Sequence, residues 1–121
     1  MTTATLPDNT LIGGSVKCNN SGNGNECVTD RCVIAGNLDC SGNSGGCVVP
    51  QTTVGGNVTL NNNAGAGASV TDGSIGGNVT MTNNSSGTVT GDFIGGNLKC
   101  NGNGGSTLQS NNVVAGTTSC N

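Results

Sequence analysis

One short phrase recurs six times along this chain and constrains its fold more than any other feature. The phrase consists of an aliphatic residue, two small residues, a polar residue and a second aliphatic residue, and its last copy is degenerate. Successive copies start 22, 20, 21, 19 and 20 residues apart. A nearly constant period of this length predicts a solenoid of stacked coils whose turns absorb the small variations. The copies begin at Ile12, Ile34, Val54, Ile75, Ile94 and Val114.

Alignment of the coils separates inward-facing from outward-facing positions, because side chains alternate across a β-strand. Besides the column of phrase starts, two further columns within or just after the phrase are aliphatic, Met or Cys, and a polar column lies between them. The inward columns are Val16, Leu38, Val58, Val79 and Leu98, and Cys18, Cys40, Leu60, Met81, Cys100 and Cys120; the polar column is Lys17, Asp39, Thr59, Thr80, Lys99 and Ser119. A last inward column, expected in a second short strand, is Val28, Val48, Val70, Val89 and Leu108.

These columns predict an all-β fold, a single-stranded right-handed parallel β-helix of about five to six coils of roughly 20 residues each. The solenoid domain is expected to span residues 12–121, and residues 1–11 to form an N-terminal extension that contacts a neighbouring subunit. Only 31% of the residues are hydrophobic and one, Phe93, is aromatic, so the chain cannot build a thick globular core. Stacked thin coils bury small side chains efficiently.

Asn-rich and Gly-rich segments separate the strands, and both residues tolerate the positive φ angles of tight turns. Four asparagines at the same position of successive turns predict a structural ladder of amide hydrogen bonds along the solenoid axis, as in other stacked β-structures. The ladder residues are Asn43, Asn63, Asn84 and Asn103.

Seven cysteines in a chain with few other core residues favour an oxidising, extracellular or cell-surface location. Cysteines stacked in adjacent coils are within bridging distance. Stacking predicts the pairs Cys18 with Cys40, Cys27 with Cys47, and Cys100 with Cys120, and leaves Cys32 free or bonded to another molecule. Two staples within single coils, Cys18 with Cys27 and Cys40 with Cys47, compete with this scheme. Cys27 and Cys47 are expected in an outward column with Ser69, Thr88 and Thr107, whereas Cys18 and Cys40 are expected to point inward. The partners of each staple would then lie on opposite sides of the wall, which disfavours both staples.

The repeated Ile-Gly-Gly-Asn-Val/Leu phrase resembles the coils of bactofilin-type polymer-forming proteins and the β-helical repeats of secreted bacterial surface proteins. The resemblance covers residues 12 to about 120. It implies a right-handed parallel β-helix with a tendency to polymerise, and no specific cellular role, because such coils occur in proteins of many functions.

Composition argues against several functions. The net charge is −3, with three basic residues and no Trp or Tyr, so neither phosphate neutralisation nor base stacking is available for nucleic acid. Apolar runs are too short to insert into a membrane. The chain has no His, and each Asp is expected to be a solvated turn residue, so no catalytic acid and base, cofactor site or metal site is expected. The cysteines of the first two coils lack the close pairs of zinc sites.

Two non-enzymatic functions remain. The first is a self-assembling structural subunit that builds a head-to-tail filament from copies of itself, because open strand edges invite addition of a further copy. The alternative is an adhesive or ligand-binding surface module that recognises a cell surface, a glycan or, with less support, ice. Ice binding has less support because ice-binding solenoids present regular rows of Thr. Here only two of the six residues in the outward column are Thr, and charged residues interrupt the column.

Overall fold

The computed structural model describes residues 5–19, 27–105 and 107–120, without the side chains of Thr5 and Cys27. These residues form eighteen β-strands and no helix, so none of them belongs to a helix that could cross a bilayer. The strands build three parallel six-stranded sheets, stacked as a β-solenoid of about five turns. The predicted β-solenoid is therefore confirmed.

Each coil contributes one strand to each of three sheets. Sheet I contains β1 (Thr5–Leu6), β4 (Cys27–Thr29), β7 (Cys47–Pro50), β10 (Ala68–Thr71), β13 (Gly87–Thr90) and β16 (Leu108–Ser110). Sheet II contains β2 (Leu11–Ile12), β5 (Val33–Ile34), β8 (Thr53–Val54), β11 (Ser74–Ile75), β14 (Phe93–Ile94) and β17 (Val113–Val114). Sheet III contains β3 (Val16–Asn19), β6 (Leu38–Ser41), β9 (Val58–Asn61), β12 (Val79–Thr82), β15 (Leu98–Asn101) and β18 (Thr118–Ser119).

The repeated phrase crosses a corner between sheets. Its first aliphatic residue ends a two-residue strand of sheet II, and its second begins the strand of sheet III. The corner between sheets I and II holds one residue per coil in the left-handed region of φ, where Asn and Gly are favoured. These residues are Asn9, Arg31, Gln51, Asp72, Gly91 and Asn111.

The core is the narrow space between the three sheets. The three inward columns predicted within and after the phrase are buried in the middle coils. Their terminal members Ile12, Val114 and Cys120 are only partly buried. The phrase therefore supplies two of the three walls of the core.

The inward column predicted for sheet I is wrong in part. Backbone register pairs Val48 with Ser69, and Ser69 with Thr88, so Val28, Val48 and Leu108 belong to an outward column. The inward residues are instead Thr29, Val49, Val70 and Val89, which are buried. A slip of one residue exchanges the two faces of a strand, and the doublet Val48-Val49 does not show which of its residues points inward.

The solenoid begins before the predicted boundary at residue 12. Thr5 pairs with Val28 and Leu6 with Thr29, while Leu11 and Ile12 pair with Val33 and Ile34. Leu6 is buried in the core. Residues 5–11 therefore form part of the first coil, and residues 1–4 lie outside the described part of the chain.

Candidate functional site

The four asparagines of the predicted ladder are buried and hydrogen-bonded to one another along the solenoid axis. We call them the interior ladder. The Nδ2 atom of Asn43 donates to Oδ1 of Asn63, Asn63 donates to Asn84 in the same way, and Asn84 to Asn103, each over 2.9 Å. Each side chain lies under the corner that leads from sheet III to sheet I.

The asparagines of the interior ladder form hydrogen bonds with most of their polar atoms. For example, Nδ2 of Asn63 also donates to the carbonyl oxygen of Cys40 over 3.1 Å. Its Oδ1 accepts from both the backbone N–H and the Nδ2 of Asn43. A buried amide with all of these bonds costs little desolvation energy and fixes the stacking register, whereas an incomplete one is strongly destabilising.

A second ladder, absent from the sequence-based predictions, runs along the outside of the solenoid. We call it the exterior ladder. Oδ1 of Asn57 accepts the backbone N–H of Asn78, and Oδ1 of Asn78 accepts that of Asn97, each over 2.8 Å. At one end of the ladder, the hydroxyl oxygen of Ser15 accepts the backbone N–H of Asn37. Its members are Ser15, Asn37, Asn57, Asn78, Asn97 and Thr117.

The exterior ladder explains the second glycine of the phrase. A Cβ atom built on Gly56, Gly77 or Gly96 would overlap the Oδ1 atom of the ladder asparagine in the preceding coil. Glycine therefore leaves room for the side chain that caps the next backbone N–H. The invariable Gly-Asn pairing in the middle copies of the phrase was the sequence signal for this ladder.

Two cysteine pairs lie at bonding distance. Cys40 pairs with Cys47 within one coil, with Cα atoms 6.3 Å apart, and Cys100 pairs with Cys120 in adjacent coils, with Cα atoms 4.3 Å apart. Cys18 is disulfide-bonded as well, and the side chain of Cys27 lies outside the described part of the chain.

The predicted pairs Cys18 with Cys40 and Cys27 with Cys47 are wrong, because Cys40 and Cys47 bond to each other. The stacking of Cys18 on Cys40 is correct in register. However, Cys47 points inward, aligned with Ala68, rather than outward as predicted. Cys40 and Cys47 therefore face the same interior across the corner, and the competing staple within the coil is the one that forms.

Cys32 is free and 1% exposed. Its thiol donates to the carbonyl oxygens of Asp30 and Pro7, at 3.3 and 3.4 Å. Burial raises the pKa of this thiol, so little thiolate forms near neutral pH. An intermolecular disulfide at Cys32 would require the segment around Pro7 to move away.

We expect Cys32 of the folded, oxidised chain to react with maleimide at least about 100-fold more slowly than in denaturant, because the thiol is buried and protonated. Mass spectrometry of samples quenched at successive times measures the rate. Labelling of the native chain at the rate of the denatured chain would contradict the buried position.

The described charged side chains do not converge on one site. Lys17, Asp39 and Thr59 are neighbours in one outward row of sheet III, as predicted. Arg31 forms exposed ion pairs with Asp8 and Asp30, at 3.2 and 3.5 Å. Among the described residues, no three His, Cys, Asp or Glu side chains cluster as metal ligands would.

One acidic residue departs from the expectation of solvated turn residues: Asp92 is buried. It directly precedes β14 at the corner between sheets I and II. The number of residues between Asp92 and the repeated phrase predicts where Asp92 lies in the coil. It does not predict that solvent is excluded from this corner.

The outer face of sheet II carries an uncharged row that is apolar at both ends. Phe93 and Leu11 are 62% and 76% exposed. The row consists of Leu11, Val33, Thr53, Ser74, Phe93 and Val113. The exposed apolar side chains at the two ends of the row, separated by Thr53 and Ser74, are a candidate contact region.

Each end of the solenoid presents one strand from every sheet. At one end these strands are β1, β2 and β3, and at the other β16, β17 and β18. The inward residues Ile12 and Val114, one at each end, are only partly covered, whereas their equivalents Ile34 and Ile94 are buried. Within the described part of the chain, the two end faces therefore combine unpaired strand edges with partly covered core side chains.

Comparison with models of known protein families, with characterised proteins and with solved structures finds no match to this chain.

Proposed function

We propose that this chain is a non-catalytic structural subunit that stacks head to tail with copies of itself. The observation that carries the proposal is the pair of end faces. Strand edges and partly covered inward residues at both ends form the same kind of surface that buries each coil against the next. A second copy placed on β16, β17 and β18 would extend all three sheets through its β1, β2 and β3.

The exterior ladder supports the same contact. Its last member, Thr117, lies in the last described coil, and its first member, Ser15, occupies the equivalent position in the first coil. Stacking would set Ser15 of a second copy above Thr117 and continue the column. A heterologous contact of this kind does not close, so it produces a filament rather than a dimer.

The cysteine pairs support an oxidising setting for this assembly, and we propose an extracellular or cell-surface location. The Cys100–Cys120 bond ties the last strand of sheet III to its neighbour, and thereby holds the end face in the geometry that a second copy would meet.

Negative-stain electron microscopy and sedimentation of the oxidised chain over a range of concentrations test the proposal. We expect unbranched filaments whose aligned fibres diffract at about 4.8 Å, the strand spacing. Val114→Lys should abolish filaments, because it places a charge in the inward column at the end face. Val113→Lys is the matched control, since Val113 points outward from the same strand. A wild-type monomer at every concentration, or equal behaviour of the two variants with unchanged circular dichroism, would overturn the proposal.

The exposed row on sheet II favours a second candidate, an adhesive surface module that recognises another surface through Phe93 and its neighbours. Phe93→Ser should then abolish binding to cells or immobilised glycans without changing the circular dichroism spectrum. Unchanged binding by this variant would remove the row from consideration.

A further inference from the structure

A column of residues in the second to sixth coils, four of them polar, runs along the corner between sheets I and II and plays no part in the proposed assembly. Each of its members directly precedes a strand of sheet II. We call it the corner column; it comprises Cys32, Thr52, Gly73, Asp92 and Asn112. Cys32, Thr52 and Asp92 are at most 1% exposed.

Two members of the corner column donate a hydrogen bond to the inward residue of the sheet I strand in the preceding coil, whereas the thiol of Cys32 donates to Pro7 of that coil. The Nδ2 atom of Asn112 donates to the carbonyl oxygen of Val89 over 2.8 Å, and the Thr52 hydroxyl donates to that of Thr29. For Asn112 and Thr52, the acceptor belongs to the inward residue of the sheet I strand that lies one coil earlier. By backbone register, the equivalent acceptor beneath Asp92 is the carbonyl oxygen of Val70.

Asp92 reproduces the bonding of Asn112 with one exception. Oδ1 of Asn112 accepts the backbone N–H of Asp92 over 2.9 Å, and Oδ1 of Asp92 accepts that of Gly73 over 2.7 Å. The remaining oxygen of Asp92, Oδ2, therefore takes the place of the donating Nδ2 of Asn112. It is buried and has no hydrogen-bond partner among the described residues.

We propose that Asp92 is a proton-binding site, at which the folded chain takes up a proton in mildly acidic solution so that Oδ2–H donates to the carbonyl oxygen of Val70. The neutral acid then has the hydrogen bonds of an asparagine. The ionised form leaves a buried charge beside a carbonyl oxygen, and the carboxylate of Asp72 repels that charge. Acid thus tightens the fifth coil against the fourth, and neutral solution loosens it.

The titration of this carboxyl agrees with the geometry. Burial raises the pKa of Asp92 from 3.8 to about 6; the charge of Asp72 adds to the rise, and backbone interactions with Gly73 and Thr90 oppose it. Because the folded-state pKa exceeds the unfolded one, the stabilisation is complete below about pH 4. It is lost as the pH rises through about 6, and stability is level above that.

Thermal unfolding of the oxidised chain between pH 4.5 and 7.5 tests the proposal. We expect Tm to fall by roughly 5 to 10 °C over this range as the pH rises. Asp92→Asn should flatten the profile, because an amide donates at every pH. Asp72→Asn, a matched change at an exposed residue of the same corner, should retain most of the slope.

Carboxyl carbon NMR of the wild-type chain gives an independent readout and does not depend on how the variants fold. A resonance of Asp92 that titrates near pH 6, well above those of the exposed aspartates, supports the site. A carboxylate already ionised at pH 5, or an Asp92→Asn profile as steep as that of the wild type, would overturn it.

Discussion

Asn63→Asp will destabilise the chain by about 4 kcal/mol or more, although the two side chains have the same shape. The carboxylate keeps the acceptor for Asn43 but loses both Nδ2 donations, to Cys40 and to Asn84. Its second oxygen then faces two acceptor oxygens inside the core. Against a typical total stability of 5–15 kcal/mol, a loss of this size brings the protein near unfolding at room temperature.

Asn57→Asp is the matched control for this prediction. Asn57 belongs to the exterior ladder, where it is exposed and its Oδ1 serves as the acceptor for Asn78, a role that a carboxylate retains. We expect a change of less than about 1 kcal/mol in the free energy of unfolding, measured by chemical denaturation at pH 7. Equal losses of unfolding free energy in the two variants would show that the interior ladder contributes no more to stability than the exterior ladder.

Gly77→Ala will destabilise the chain by roughly 2 to 4 kcal/mol, the cost of overpacking together with a broken hydrogen bond. The added Cβ would overlap Oδ1 of Asn57 and lie 2.8 Å from the carbonyl oxygen of Gly56. The Asn57 side chain would have to move, which removes the acceptor for the Asn78 N–H.

Gly14→Ala makes the same substitution at the same position of the phrase in the first coil. A Cβ atom at Gly14 meets nothing within 4 Å. We expect a change within about 0.5 kcal/mol, on either side of zero. Denaturation midpoints of the two variants measure the difference. A large loss at Gly14 would mean that backbone conformation, rather than stacking on the preceding coil, requires glycine here.

The repeat and the core columns of sheets II and III could be predicted because they follow from side-chain alternation and a constant period. The wrong predictions of facing and of disulfide partners depend on the register of sheet I. At the Val48-Val49 doublet, an error of one residue reversed the facing of Cys47 and with it the disulfide partner of Cys40. Two apolar residues in succession give no alternation from which to choose the register.

The exterior ladder and the buried Asp92 escaped prediction for a different reason. Each depends on a missing side chain: Gly77 makes room for Asn57, and a Cβ atom on Gly73 would lie only 3.2 Å from Oδ1 of Asp92. Glycine in a sequence indicates freedom of the backbone, but not which neighbour fills the space it leaves. Only the stacking of one coil on another identifies that neighbour.

The spacing of the interior ladder has a consequence for how the chain folds. Its rungs join residues 20, 21 and 19 positions apart, and no rung joins residues farther along the chain. A nascent chain can therefore complete each rung after synthesising one more coil, without waiting for distant segments. Folding by stepwise addition of coils keeps the loop-closure entropy of each step small, in contrast to sheets that pair segments far apart in the chain.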